Sequence, residues 1–68
     1  MGELRRLTVR ELKVLKLCTL GKTNVEIAKI LEINPHAVKA HMCSIFEKMN
    51  VRSRVAAAVK AVKLGLIK

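Results

Sequence analysis

Two cysteines and two histidines are the side chains of this 68-residue chain best suited to metal binding or nucleophilic chemistry. They occur in the order Cys18, His36, His41, Cys43. Neither cysteine belongs to a Cys-x-x-Cys pair, and this order fits no zinc-finger spacing. A disulfide is also not expected in a chain of intracellular character. We therefore expect no metal site, a partly buried Cys18 and a Cys43 thiol with no structural role.

The acidic residues give no support for an enzyme. All five are Glu, none forms a paired-carboxylate motif, and no nucleophile lies beside a candidate base. A chain this short also leaves little core in which to build a substrate pocket. We predict that the protein is not an enzyme and needs no cofactor.

The basic residues point to an acidic partner. Fourteen Lys and Arg residues give a net charge of +9, which makes nucleic acid the first candidate. Phe46 is the only aromatic residue, so a base-stacking sheet is excluded. No apolar run approaches the ~20 residues of a membrane span, and Glu3, Arg5 and Arg6 interrupt the N-terminal stretch. These features predict one basic, cytoplasmic domain over 1–68, with 1–6 flexible.

Four segments with helical periodicity must position these residues, and no segment has the pattern of a strand. Two Thr-x-x-Glu capping boxes, beginning at Thr8 and Thr23, open the first two segments on either side of Gly21. Asn34 before Pro35 opens the third, and Ser53 is a suitable N-cap for the fourth. The sequence therefore predicts an all-α, four-helix fold, with helices near 8–20, 24–32, 35–49 and 54–64.

The second and third helices have the size of a helix-turn-helix, spanning 23–49. We expect Ile27, Ala28, Ile30 and Leu31 of the second helix to face inward. The third has one apolar face, made by Val38, Met42, Ile45, Phe46 and Met49. Its opposite face carries His36, Ala40, Cys43 and Glu47, with Lys39 on the flank. Small side chains there leave room for base edges, and the N-terminus of this helix is expected to offer free amides to a phosphate.

The fourth helix has more apolar surface than one core requires. An alanine-rich stripe can pack on the core. A second stripe consists of Val55, Val59, Val62 and Leu66. Because many operators are palindromes read by two-fold symmetric proteins, we expect the second stripe to form a homodimer interface.

Two opposite charges fall on apolar helix faces. Glu11 lies on the inward side of the first helix, and Arg54 lies within the alanine-rich stripe of the fourth. We expect them to form a structural ion pair, which would be costly to break if buried.

Several motifs together resemble the LuxR/FixJ/GerE-type (NarL-like) helix-turn-helix domain of bacterial transcriptional regulators. The similarity runs without a gap from residue 7 to about 62. The motifs are Leu7-Thr8-Val9-Arg10-Glu11, Glu26-Ile27-Ala28-x-x-Leu31, Val38-Lys39-Ala40-His41, Ile45-Phe46-Glu47-Lys48-Met49 and Val51-Arg52-Ser53-Arg54.

The resemblance implies sequence-specific binding to double-stranded DNA, with the third helix in the major groove and dimerisation through the fourth helix. It places Lys39, Ala40 and Cys43 at base edges and Thr23, Asn24 and Lys48 at phosphates. We add His36, in the first turn of the third helix, to the expected DNA contacts. A regulator of this type is expected on the nucleoid, with RNA polymerase as a further partner.

The sequence departs from the family pattern at Ala37, where a Thr is usual, and at Cys43, where a polar or basic residue is common. These departures leave open a small protein-interaction module or anti-activator with weak DNA readout. A binder of anionic membrane surfaces is a further alternative, since basic amphipathic helices also bind lipid. Capping boxes and tight turns favour a folded DNA-binding domain over that alternative.

Overall fold

The computed structural model describes residues 7–65, and within that range the chain forms four helices and no strand. The elements are α1 (Val9–Thr19), α2 (Asn24–Leu31), α3 (Pro35–Met49) and α4 (Arg54–Lys63). Each boundary lies within one residue of its predicted position, so the all-α, four-helix prediction is confirmed. The predicted flexibility of 1–6 concerns residues outside the described range.

Helices α1 and α2 begin at the two predicted capping boxes. The Thr8 hydroxyl accepts from the Glu11 amide at 3.1 Å, and the Glu11 carboxylate accepts from the Thr8 amide at 2.8 Å. The corresponding distances between Thr23 and Glu26 are 3.2 and 2.8 Å. Each box satisfies two amides that a helix N-terminus otherwise leaves without a partner.

The later helices are capped as the sequence predicts. The Asn34 side chain accepts from the His36 amide at 2.7 Å, and the Ser53 hydroxyl accepts from the Ala56 amide at 3.1 Å. Gly21 follows α1 with a φ of 86°. The C-cap residues that follow α2 and α3 are Glu32 and Asn50, whose φ values of 56° and 57° are left-handed. Asn tolerates this conformation, whereas Glu rarely adopts it.

The core lies where α1, α2 and α3 meet, and α4 covers it with its alanines. The largest fully buried side chains are Val14, Leu15, Ile27, Val38, Ile45 and Met49. Ala57 and Ala61 are also fully buried, and their small size lets α4 approach closely. The predicted inner face of α3 is confirmed, with Phe46 partly buried at its edge.

The inward orientation expected for Ile30 is wrong, because this side chain is 51% exposed. Helix α2 has eight residues and is anchored by Ile27 and Ala28, which are both buried. Ile30 instead lies at the outer edge of α2, where it lines a surface groove shared with α1. Among the described residues, no helix has both the length and the hydropathy needed to cross a membrane.

Candidate nucleic-acid interface

Helix α3 presents one exposed stripe to solvent. The exposed residues of the stripe are His36, Lys39, Ala40, Cys43 and Glu47. Their spacing of three or four residues places them on one side of the helix. From His36 to Cys43 the stripe rises about 10 Å, which matches about three base-pair steps at ~3.4 Å each. Hereafter we call these five residues the α3 stripe.

The opposite side of α3 fixes the direction of the stripe. Val38, Ile45 and Met49 are fully excluded from solvent and Met42 nearly so. Because these residues pack on both α1 and α2, the helix cannot rotate without exposing core side chains. Ala40 and Cys43 are small, so the α3 backbone can come close to an opposing surface.

The expectation of free amides at the N-terminus of α3 is wrong. Pro35 has no amide hydrogen. The His36 amide donates to the Asn34 side chain, and the Ala37 amide donates to the Asn34 carbonyl at 2.9 Å. With Asn34 followed by Pro35, the first amides of α3 already have acceptors within the chain. A phosphate at this end would therefore have to be bound by side chains.

The N-terminus of α2 has a different environment. Thr23 and Asn24 line a cleft together with Cys18, Gly21, Lys22 and Arg54. The Arg54 guanidinium donates to the Asn24 side-chain oxygen at 2.6 Å and to the Lys22 carbonyl at 2.9 Å. Two positive side chains, Lys22 and Arg54, therefore lie beside the residues predicted to hold a phosphate.

The predicted ion pair between Glu11 and Arg54 is wrong. Glu11 instead pairs with Lys48, whose ammonium lies 2.7 Å from the carboxylate, and also accepts from the Ser44 hydroxyl at 2.6 Å. The inward side of α1 near Glu11 packs on α3, so the residues that meet its carboxylate come from α3. Arg54 lies at the start of α4, where the end of the α1–α2 turn is within its reach.

The surroundings of Glu11 determine its charge. Burial alone raises the pKa of this carboxyl, but hydrogen bonds from Lys48, Ser44 and the Thr8 amide outweigh burial. Together they lower the pKa from 4.5 to about 2. Glu11 is therefore an anion at neutral pH, although its exposed fraction is 4%. It holds Lys48 on the flank of α3 that faces α1, away from the α3 stripe.

The position of Lys48 bears on its predicted phosphate contact. Its ammonium group is bonded to Glu11, and the side chain is 27% exposed. A phosphate ligand at this position would have to share or replace that carboxylate. The contact stays a prediction, and the structure gives Lys48 a competing role in joining α3 to α1.

Helix α4 also contacts the end of α3. The Lys60 ammonium donates to the Met49 carbonyl at 2.7 Å, and so caps a C-terminal carbonyl of α3. On its outer side α4 exposes Val55, Val59 and Val62, with exposed fractions of 74%, 48% and 55%. The fourth residue of the predicted dimer stripe, Leu66, lies outside the described residues.

Cys18 is more deeply buried than the sequence predicts. Cys18 is buried and Cys43 is exposed, and both are free thiols. Across residues 7–65 no cluster of three or more His, Cys, Asp or Glu side chains could hold a metal ion.

The structure thus sorts the predicted DNA contacts into three places. His36, Lys39, Ala40 and Cys43 share the α3 stripe. Thr23 and Asn24 line the cleft at the start of α2, and Lys48 lies against Glu11. Sequence reasoning missed Ser44 as a partner of Glu11. Its four-residue spacing from Lys48 was a usable signal, because that spacing places both on one side of a helix.

Comparison with protein-family models gives a match over residues 5–61, to the luxR family of bacterial regulatory proteins. The matched range contains α1, α2 and α3 and most of α4. It includes every residue of the α3 stripe and of the cleft.

Individual relatives are similar over most of this chain. The transcriptional activator protein AnoR of Acinetobacter nosocomialis is 41% identical over 61 residues, which is 90% of this chain and 26% of AnoR. The nitrate/nitrite response regulator protein NarP of Escherichia coli K12 is 47% identical over 53 residues, which is 78% of this chain and 25% of NarP. The quorum sensing-dependent transcriptional regulator RpaR of Rhodopseudomonas palustris is 43% identical over 63 residues, which is 93% of this chain and 26% of RpaR. The chain spans about a quarter of the length of each of these relatives.

Proposed function

Because the chain belongs to the LuxR family of bacterial transcriptional regulators, whose members bind DNA, we propose that it binds a short inverted repeat as a homodimer. In this proposal each copy places α3 in the major groove of one half-site, and the bound dimer regulates transcription at the nucleoid. Contact with RNA polymerase belongs to the same proposal.

The α3 stripe is the observation that supports this proposal most strongly. A major groove about 12 Å wide admits one helix, and α3 exposes one side while its other side is fixed in the core. Lys39 can donate to guanine acceptors, and His36 can donate or accept at a base edge or phosphate. Ala40 and Cys43 allow the close approach that such contacts require.

Phosphate binding is assigned to the cleft at the start of α2. Lys22 and Arg54 supply positive charge there, while Thr23 and Asn24 supply polar groups. The bond from Arg54 uses the oxygen of the Asn24 amide, so the Asn24 nitrogen can still donate to a phosphate. These contacts would fix the register of α3 without reading sequence.

The experiment is selection of bound sequences from random double-stranded DNA, followed by anisotropy titration of the selected site. An inverted repeat bound by two chains is the expected result. Lys39→Ala should weaken binding to the selected site by about tenfold or more, because a good base contact discriminates by ~1–3 kcal/mol. Lys13→Ala, which removes the same charge from an exposed position on α1, is the matched control and should change affinity far less.

The dimer is tested separately at the valine stripe. Val59→Asp places a charge among exposed valines and should prevent two chains from occupying one inverted repeat, while leaving binding to a single half-site. Sedimentation of the protein–DNA complex measures the stoichiometry. Two chains bound by the variant as readily as by the wild type would rule out this interface.

A second candidate function is a protein-interaction module with weak DNA readout. Two observations favour it: Lys48 is bonded to Glu11, and the amides at the start of α3 are satisfied internally. Binding to random DNA across a salt series separates the candidates. A DNA-binding protein should lose affinity steeply as salt rises, whereas no measurable binding at low salt would favour the interaction module.

A further inference from the structure

A second exposed apolar surface lies away from both the α3 stripe and the valine stripe. It is a groove of about 330 Å³ between α1 and α2, lined by Lys13, Lys16, Leu17, Leu20, Ile30 and Leu31. None of these residues belongs to α3 or α4. We refer to these six residues as the α1–α2 groove.

The floor and the rim of the groove differ in chemistry. Leu17 and Leu31 are partly buried and continue into the core. Leu20 and Ile30 stand above them, with exposed fractions of 68% and 51%. Isolated exposed apolar residues are ordinary, but exposed residues that adjoin partly buried ones over a cleft are typical of binding surfaces.

The charges of the groove indicate its partner. Lys13 and Lys16 line it, and none of the described residues that line it is acidic. The whole chain carries a net charge of +9. A partner with apolar side chains flanked by carboxylates would bury the leucines and neutralise both lysines.

The length of the groove restricts the partner further. Lys13 on α1 and Leu20, the residue that follows α1, are seven residues apart, a rise of about 10 Å, or two helical turns. A helix laid into such a groove contacts it through apolar residues at i, i+3, i+4 and i+7. We propose that the α1–α2 groove docks an acidic amphipathic helix of a protein partner, separately from DNA binding.

The probe for this proposal is a fluorescein-labelled, acidic peptide of about 15 residues, a length at which isolated helices become marginally stable. It carries leucines at i, i+3, i+4 and i+7 and glutamates on its other faces. A scrambled peptide of identical composition controls for charge attraction alone. Anisotropy measures affinity, and amide chemical shifts locate the bound peptide on the protein.

Three groove variants are compared with one control. Leu20→Ser and Ile30→Ser should each weaken peptide binding about tenfold, because each loses much of an apolar contact. The double change Lys13→Glu with Lys16→Glu should weaken it at least as much. Val9→Ser is the control, since Val9 lies on α1 at 72% exposure and does not line the groove. All five substituted positions are exposed, and circular dichroism should show unchanged folding.

Each outcome decides the proposal. Preferential binding of the amphipathic peptide, loss in the groove variants alone and shifts confined to α1 and α2 would support it. Equal binding of the scrambled peptide, equal affinity of all variants, or shifts on another surface would overturn it. Self-association that Leu20→Ser abolishes would also overturn it, because the occupant would then be a second copy of the chain. None of these results depends on whether α3 binds DNA.

Discussion

The two capping boxes have the same local structure and different surroundings. In both, the Thr hydroxyl accepts from the Glu amide at 3.1–3.2 Å, and the carboxylate accepts from the Thr amide at 2.8 Å. Glu26 is exposed and makes no described contact beyond its own turn. Glu11 is buried, and its carboxylate also binds Ser44 and Lys48 of α3.

The difference shows how one sequence motif acquires a second role through packing. Hydrogen bonds to Thr23 lower the pKa of Glu26, whereas the pKa of Glu11 depends on residues 33 and 37 positions away. The box at Glu26 starts a helix. The box at Glu11 starts a helix and also holds the C-terminal half of α3, so that its exposed stripe has a fixed direction.

The largest expected effect comes from removing the Glu11 carboxylate. Breaking a buried ion pair by deleting one partner costs about 3–5 kcal/mol. A domain of this size is stable by roughly 3–10 kcal/mol, so we expect Glu11→Ala to lose a large share of the free energy of unfolding at 25 °C. The nearly isosteric Glu11→Gln should still fold. Its loss of unfolding free energy should be about 3 kcal/mol, the lower end of that range, because Lys48 can turn toward water. Urea denaturation measures both, with Glu26→Gln as the control, and equal losses in the two Gln variants would remove the distinction between the boxes.

The second-largest effect should come from acid, which should destabilise the protein through Glu11 far more than through Glu26. The pKa of Glu11 falls from 4.5 to about 2 on folding, so the folded state binds fewer protons. Its stabilisation, about 3 kcal/mol, is therefore fully present above pH ~4.5 and is lost as the pH falls towards ~2. Thermal melts across this range should show a steep decline in the wild type and in Glu26→Gln. A decline of the same steepness in Glu11→Gln would assign the acid sensitivity to other carboxyls.

A double-mutant cycle tests the partner of Glu11 directly. Glu11→Gln and Lys48→Met should show a coupling energy of about 1–3 kcal/mol, as residues in one ion pair do. The cycle of Glu11→Gln with Arg54→Met should be additive within ~0.5 kcal/mol, since Arg54 bonds to Asn24 and Lys22. A coupling energy of about 1–3 kcal/mol between Glu11 and Arg54 would contradict the observed arrangement.

The smallest loss of stability should come from removing the Thr hydroxyl, which has the same role in both capping boxes. Thr8→Ala and Thr23→Ala each remove a hydroxyl that accepts from one amide, which typically costs about 1 kcal/mol. Because this bond is local, we expect nearly equal losses in denaturant midpoint at the two positions. A much larger loss at Thr8 would show that its hydroxyl takes part in the contact between α1 and α3.

Local patterns in the sequence predicted the helices and their caps. Thr-x-x-Glu boxes, Asn34 before Pro35 and Ser53 each act within one helical turn, so the bounds of the helices could be read directly. The inner face of α3 was also predictable, because Val38, Ile45 and Met49 recur at the helical period.

Features set by the packing of one helix on another were predicted less well. The partner of Glu11 depends on how α1 crosses α3, which periodicity does not determine. The inward prediction for Ile30 is wrong because Ile27 and Ala28 are buried beneath α2 and Leu31 is partly buried beside them, which leaves Ile30 at the outer edge. The N-terminus of α3 is closed by Asn34, whose side chain accepts from the His36 amide and whose carbonyl accepts from the Ala37 and Val38 amides.

The left-handed conformation of Glu32, which follows α2, affects how many destabilising substitutions this fold can tolerate. A non-glycine residue in that conformation carries a cost of about 1–2 kcal/mol, and glycine would remove most of it at some entropic expense. Glutamate and glycine codons can differ by a single base. We therefore expect Glu32→Gly, a single nucleotide change, to be modestly more stable than the wild type. That reserve would let destabilising substitutions in the α3 stripe become established, so that DNA specificity could diverge without loss of the fold.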